Sequence, residues 1–236
     1  MLSAMKSKVD ILCTVPVSQP LIDTVAAKGI DMDVVSLINI QRTGSNELRE
    51  EIEILSGKEQ HVIFTSANAV TIVKDYMQPG PSKWKVYCIG NATKQAIKKN
   101  IGVNNVAGTA NNASELADVI INDKVKDIVF FCGDIRRDEL PVKLKNASIA
   151  LKELVVYKTI QNEERISKVY DGILFFSPSA VSSFFSRNDI PPGTTLFAIG
   201  ETTAEAVKAY TSNELIIGKQ QSKEAMIDIM IDHFKK

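Results

Sequence analysis

The sequence predicts an α/β fold of two similar, doubly wound parallel-sheet domains. Three observations carry this prediction. Short β-rich runs alternate with helix-patterned stretches, several of those runs are apolar on successive residues, and a pair of motifs recurs at one spacing.

The strand candidates are Val9–Thr14, Val34–Ile40, Val62–Thr65, Val86–Ile89, Asn105–Ala107, Ile128–Cys132, Leu154–Thr159, Gly172–Phe176, Leu196–Ile199 and Leu215–Ile217. Runs such as VIF, DIVFFC and GILFF do not alternate polar with apolar, which is how strands covered on both faces read. Between them, AVTIVKDYM, ATKQAIKKN, SELADVIIND, AVSSFF, TTAEAVKAY and SKEAMIDIMIDHF place apolar residues three or four apart, the spacing of one helix face. Strands alternating with helices in this way favour parallel pairing through crossover helices.

The repeat sets the domain organisation. Phe64-Thr65-Ser66-Ala67-Asn68-Ala69-Val70 resembles Phe175-Phe176-Ser177-Pro178-Ser179-Ala180-Val181, and Ile89-Gly90-Asn91-Ala92-Thr93 resembles Ile199-Gly200-Glu201-Thr202-Thr203, both at an offset of about 110 positions. Two matches at one offset mark a duplicated unit. The opening strand Asp10–Thr14 and the helix after it correspond best to Asp127–Cys132 and its helix, late in the middle module. Residues 1–37 with 161–236 are therefore expected to form a discontinuous α/β domain, and residues 42–151 an inserted one. The crossings at 34–41 and 152–160, within VVSLINIQRT and LKELVVYKTIQ, are β-branched and extended. They are expected to pair as a two-stranded β-ladder that acts as a hinge, with a cleft between the domains.

Composition narrows the function classes. A chain of 236 residues has room for two domains, and 44% hydrophobic with 24% charged residues excludes disorder, collagen and coiled coil as the main architecture. Lys plus Arg and Asp plus Glu both number 28, so no global basic field exists to hold nucleic acid or an anionic membrane, and neither partner is expected. No run approaches the ~18 apolar residues of a membrane span. In the opening MLSAMKSKVDILCTV, Lys6, Lys8 and Asp10 interrupt any secretory apolar core. Cys13, Cys88 and Cys132 lie far apart inside apolar runs and read as reduced, buried thiols of a cytoplasmic protein. Neither His61 nor His233 has a partner at ligand spacing, so no metal is expected. IGNATK lacks the third glycine of a dinucleotide loop, and no GxxxxGKS/T phosphate loop occurs, so no nucleotide cofactor is expected. A monomer is the default.

Ligands of open α/β sheets gather at the carboxyl ends of strands, where helix N-termini present unpaired N–H groups. The repeated motifs fall at these points. Thr65 or Ser66 caps one helix and leaves amides around Ala67 and Asn68 for an anion. Ser177 repeats the arrangement, with Pro178 at the first helical position and Ser179 after it. Gly90 and Gly200 permit tight turns, with Asn91, Thr93, Thr202 and Thr203 beside further amides. A single such corner is ordinary capping; four facing one cleft make an anion-binding site. Cys132-Gly133-Asp134-Ile135-Arg136-Arg137 ends a strand and starts a helix with paired arginines, suited to a carboxylate or else a solvated first turn. Tyr157, in the second crossing, either aims its phenol into the cleft or packs on the ladder. Trp84 reads as packing.

In order and spacing, FTSANAV, CIGNATKQAI, FFCGDIRRDELPVKL, VVYKT, FFSPSAV and FAIGETTAEAV resemble the uroporphyrinogen-III synthase family, from about Val9 to the C-terminal helix. The resemblance implies two α/β domains, one discontinuous, joined by a two-stranded ladder with the active site between them. It also implies a lyase that cyclises the linear tetrapyrrole hydroxymethylbilane with inversion of its last ring, without metal or cofactor. Loss of hydroxide leaves an azafulvene cation, the substituted carbon of ring D attacks it to give a spiro intermediate, and this fragments and recloses with ring D reversed. By the same resemblance Tyr157 is the general acid that assists hydroxide departure. The substrate-binding set is Thr65, Ser66, Ala67, Asn68, Gly90, Asn91, Thr93, Gly133, Arg136, Ser177, Ser179, Gly200, Thr202 and Thr203. One departure is Thr14-Val15-Pro16-Val17, a first loop without the arginine that many members carry. The competing reading is a non-catalytic two-lobed module that binds a tetrapyrrole or another polyanion, and product formation separates the two.

Overall fold

In the computed structural model, which describes residues 8–220 and 222–235, β1 (Val9–Cys13), α1 (Gln19–Ala27), β2 (Ile30–Val34) and β3 (Ile38–Arg42) open the chain. There follow α2 (Asn46–Ser56), β4 (Gln60–Phe64), α3 (Ala67–Lys74), β5 (Trp84–Ile89), α4 (Asn91–Asn100), β6 (Val106–Ala110), α5 (Ala113–Asn122), β7 (Asp127–Gly133), α6 (Glu139–Asn146) and β8 (Ala150–Gln161). The last part holds β9 (Gly172–Phe175), α7 (Pro178–Phe185), β10 (Thr195–Ala198), α8 (Glu201–Lys208), β11 (Leu215–Ile217) and α9 (Lys223–Phe234). The chain divides into two compact units, Met1–Asn39 with Ile160–Lys236, and Ile40–Thr159.

The first unit holds a parallel sheet in the order β11-β10-β9-β1-β2. The second holds β3-β8-β7-β4-β5-β6, parallel from β8 to β6. Setting β9 against β4 makes the two orders coincide, and β1 takes in its sheet the place that β7 takes in the other. The duplication is thus visible in strand order, with the opening strand completing the C-terminal unit.

Both faces of each sheet are buried, which explains the unbroken apolar runs. In the second unit Val62, Phe64, Val129 and Phe131 face α2, α3 and α4, while Ile63, Ile128, Phe130 and Cys132 face α5 and α6. The Phe131 ring lies 5.2 Å from Phe64 and 5.4 Å from Trp84, and the Trp84 indole donates to the Leu55 carbonyl at 2.9 Å. In the first unit Leu12, Ile173 and Phe175 face α7 and α8, and Ile11, Leu174 and Phe197 face α1 and α9. Each such fully buried side chain contributes roughly 1.5–3 kcal/mol.

Four expectations are corrected. The run Val34–Ile40 is not one strand: Val34 ends β2 opposite Cys13, and fully buried Leu37 draws the chain inward before β3 begins at Ile38. Ile30–Val34, whose apolar residues alternate with Asp31 and Asp33, is a strand that the longer run had obscured. The crossing at 152–160 is not confined to a ladder, because Ala150–Tyr157 pairs in parallel with β7 while the outer part of β8 pairs with β3. The Asn162 amide donates to the Leu37 carbonyl and the Thr43 amide to that of Val156, so β3 and β8 run in opposite directions. Arg136 and Arg137 precede α6, which starts at Glu139, and so lie on a loop and not in a first helical turn.

Candidate active site

In the second unit the carboxyl edge of the sheet carries, strand by strand, Tyr157 on β8, Gly133 on β7, Thr65 and Ser66 after β4, and Gly90 after β5. The chain winds outward from β4 through β5 to β6, then returns to build β7 and β8 on the other side of β4. Ser66 and Gly133 therefore flank the topological switch point, where helix N-termini diverge and a ligand crevice opens.

Tyr157 reaches this place through a bulge. Cys132 pairs with Val155 and Gly133 with Tyr157, leaving Val156 without a partner on β7. An unbroken strand sends successive side chains to opposite faces, but here Leu154, Val156 and Tyr157 all enter the core beneath α3. The Tyr157 ring lies over Gly133, where a Cβ would fall 2.6 Å from Cε2 and Cζ and 2.9 Å from the phenol oxygen. The face of Gly133 expected to meet substrate is thus covered by Tyr157.

Ser66 links the two motifs. Its extended backbone lies two residues past β4, and its hydroxyl accepts from the Asn68 amide at 3.2 Å as the cap of α3. That amide, expected to be open to an anion, is occupied by the cap. Burial of the Tyr157 ring raises the phenol's pKa, and the Ser66 hydroxyl opposes this only in part. Tyr157 is only 8% exposed and stays protonated through the neutral range. Thr65 and Ala67 are half-buried beside it, and Asn68 is exposed.

The next corner differs. Gly90 caps α4 with φ +77° and no side-chain hydrogen bond, so its glycine is needed for the backbone conformation, and no side chain occupies the first-turn amides. A pocket of about 560 Å³ opens there, lined among others by Gly90, Asn91, Lys94, Asn111 and Glu115. Asn91 is exposed, whereas Thr93 is 5% exposed and turned inward. Arg136 is engaged by Asp138 and Glu153 in ion pairs, and these partners raise its pKa against the opposing effect of burial. Its guanidinium is not the open carboxylate clamp that its sequence neighbourhood suggested.

The first unit repeats the edge with different detail. Ser177 caps α7, accepting from the Ala180 amide at 3.2 Å, with Pro178 at the first position and Ser179 half-buried. Gly200 is extended (φ −178°), a conformation open to any residue, so the expected tight glycine turn is absent; like Gly90 it caps without a side chain. Thr202 is half-buried and Thr203 is 3% exposed, with its amide donating to the Gly200 carbonyl at 3.1 Å. Thr14 is fully buried and its hydroxyl donates to the Leu174 carbonyl at 2.7 Å, closing β1 against β9. At the first loop Lys223 Nζ donates to the Pro16 carbonyl at 2.6 Å. That cation comes from α9, far along the chain, and no local pattern announces it.

The arrangement offers uncapped first-turn amides beside Gly90, small hydroxyls, and one buried, protonated phenol. It suits the binding of a polyanion and the delivery of a proton to a leaving oxygen.

Comparison with known proteins agrees with the strand order. Residues 19–228 match the family model described as "Uroporphyrinogen-III synthase HemD". A curated relative, the uroporphyrinogen-III synthase of Saccharomyces cerevisiae, is 28% identical over 171 residues, 61% of this chain and 62% of the relative. The matched part thus spans less than two thirds of that relative's length. Among solved structures, the uroporphyrinogen-III synthetase of Helicobacter pylori 26695 covers 95% of this chain and 99% of its own at 16% identity and a TM-score of 0.67. A mutant uroporphyrinogen III synthase of the extremely thermophilic bacterium Thermus thermophilus covers 96% and 99% at 11% identity and a TM-score of 0.64. These two likenesses concern the fold. The family match runs from α1 into α9, through both strands by which the chain passes between its units, and the chain belongs to the uroporphyrinogen-III synthase family.

Proposed function

We propose that the chain is a uroporphyrinogen-III synthase, cyclising hydroxymethylbilane to uroporphyrinogen III with inversion of ring D and net loss of water. The observation that carries the reading is the Tyr157 phenol, which the bulge buries over Gly133 at the sheet's switch point. A departing hydroxide needs a proton. A phenol with a pKa above 10 is still a far stronger acid than water, at 15.7, and so can supply one. Breaking the carbon–oxygen bond gives water and an azafulvene cation stabilised by its own pyrrole. The substituted α-carbon of ring D then attacks the cationic methylene, and the spiro intermediate fragments and recloses inverted. Loss of the α-proton restores aromaticity, so no oxidant or reductant is consumed.

The remaining work is conformational, because the unassisted chain closes without inversion. Acetate and propionate arms match the first-turn amides of α4, which has no side-chain cap. Buried free thiols and balanced charge support a cytoplasmic monomer acting on a small molecule, with no nucleic-acid or membrane partner. Among the described residues no helix is long and apolar enough to cross a membrane.

The test is a coupled assay in which hydroxymethylbilane is generated in situ, the products are oxidised, and type I and type III uroporphyrins are separated by chromatography. Type III product above the no-enzyme blank is expected. Type I alone from folded protein would refute the reading.

A further inference from the structure

Asp134 stands immediately after the Gly133 on which Tyr157 rests. Its amide donates to the Tyr157 carbonyl at 3.1 Å, extending the β7–β8 pairing one step past the bulge. Its Oδ1 accepts from two further amides at 2.9 Å, those of Ile135 on its own loop and of Thr159 on β8, two residues beyond Tyr157. A single carboxylate oxygen therefore ties together both strands on the far side of the bulge. Without it, the Thr159 amide loses this acceptor, and past the bulge the two strands keep only the bond from the Asp134 amide to the Tyr157 carbonyl.

A bulge is a local choice of register, and a slip by one residue would carry Tyr157 to the opposite face. Val155 is 40% exposed while Val156 is fully buried. The register thus decides which side chain enters the core beneath α3 and whether the phenol meets Ser66. Backbone hydrogen bonds fix the strand up to Cys132, and Asp134 fixes it again at Tyr157 and Thr159.

We propose that Asp134 is the positioning residue for Tyr157, its carboxylate bridging the Ile135 and Thr159 amides so that the bulge stays locked with the phenol at the site. The inference rests on Tyr157 acting in the proposed reaction, and it concerns a residue that acts through Tyr157. Asparagine keeps the Oδ1 acceptor and drops the charge, whereas alanine removes both. Asp134→Asn and Asp134→Ala therefore separate the bridge from any effect of the charge.

Two measurements on the full chain test it. In steady-state assays, Asp134→Ala should lower kcat about tenfold or more with KM changed by less than about twofold, and Asp134→Asn should keep kcat within about threefold of wild type. In amide hydrogen exchange read by NMR, the Thr159 amide should exchange about tenfold faster in Asp134→Ala and near the wild-type rate in Asp134→Asn. The proposal is overturned if Thr159 protection is unchanged in Asp134→Ala, if that variant keeps wild-type kcat, or if asparagine loses as much as alanine. Failure of the function reading shows separately, as wild-type protein that yields only the type I isomer. The exchange measurement then still decides the bridge.

Discussion

Gly133 and Tyr157 share one space: a Cβ on Gly133 would lie 2.6 Å from two ring carbons of Tyr157, so the tyrosine rests on bare backbone. Backbone and a buried ring on one side and the strand pairing on the other leave little room to yield. Gly133→Ala should cost about 1–3 kcal/mol of stability, as an overpacked core site does, and should lower turnover about tenfold or more by displacing the ring. Urea unfolding and the isomer assay measure the two effects. An alanine variant with wild-type turnover would show that the ring position does not matter.

Tyr157→Phe isolates the phenol from the ring. The ring keeps its packing over Gly133 and beneath α3, so the melting temperature should stay within a few degrees. The proton donor is lost, and turnover should fall about tenfold or more. Wild-type turnover in this variant would return Tyr157 to a packing role.

Ser66 and Ser177 are a natural pair of controls. Each caps a helix, Ser66 toward Asn68 and Ser177 toward Ala180, so either serine-to-alanine change should cost about 0.5–2 kcal/mol of stability. Ser66 also acts on the Tyr157 phenol, opposing the rise in its pKa. Loss of binding or turnover in either variant should stay within about 0.5–2 kcal/mol, with the larger effect at Ser66. A thousandfold loss from Ser66→Ala would contradict a site in which backbone amides carry most of the contact.

The fold was legible because its signals are local. Two-faced burial leaves unbroken apolar runs such as DIVFFC, and duplication leaves matching strings at strand ends, so two similar parallel-sheet modules follow from the sequence, whereas the strand order they share emerges only in the structure. The site was legible only as a set of strand ends. A bulge at Val156 has no sequence mark, and alternation counted from Leu154 sends Tyr157 to the wrong face. That is why spacing alone leaves Tyr157 open between packing on the ladder and reaching the cleft. The ion pair of Arg136 is hidden for a related reason: its partner Glu153 lies on β8, and only the parallel pairing of β7 with β8 brings them together. Asp134 and Lys223 act through backbone groups distant in sequence, Thr159 and Pro16, where residue type alone carries no pattern.

The buried thiols give the fold a defined alkaline limit. Burial pushes Cys88 and Cys132 up to about 11, and it also raises Cys13, against about 8.5 for an exposed thiol. A thiol whose folded pKa is raised loses its proton first in the unfolded chain. The folded state therefore keeps its full advantage below about pH 8.5 and loses it progressively as pH rises towards 11. The melting temperature should be flat with respect to these groups near neutrality and fall across that window. Cys88→Ala/Cys132→Ala should melt lower at pH 7, because it leaves small cavities, yet show a shallower fall between pH 8.5 and 11. Equal slopes in the two proteins would assign the alkaline loss to the buried tyrosines instead. Tyr170, raised to about 12 by burial and its hydrogen bond to Asp33, acts in the same direction at higher pH. The same burial makes the thiols poor nucleophiles, so a disulfide reagent at pH 8 should label them only as fast as the protein opens. Rapid labelling of folded protein would place at least one sulfur at an accessible surface.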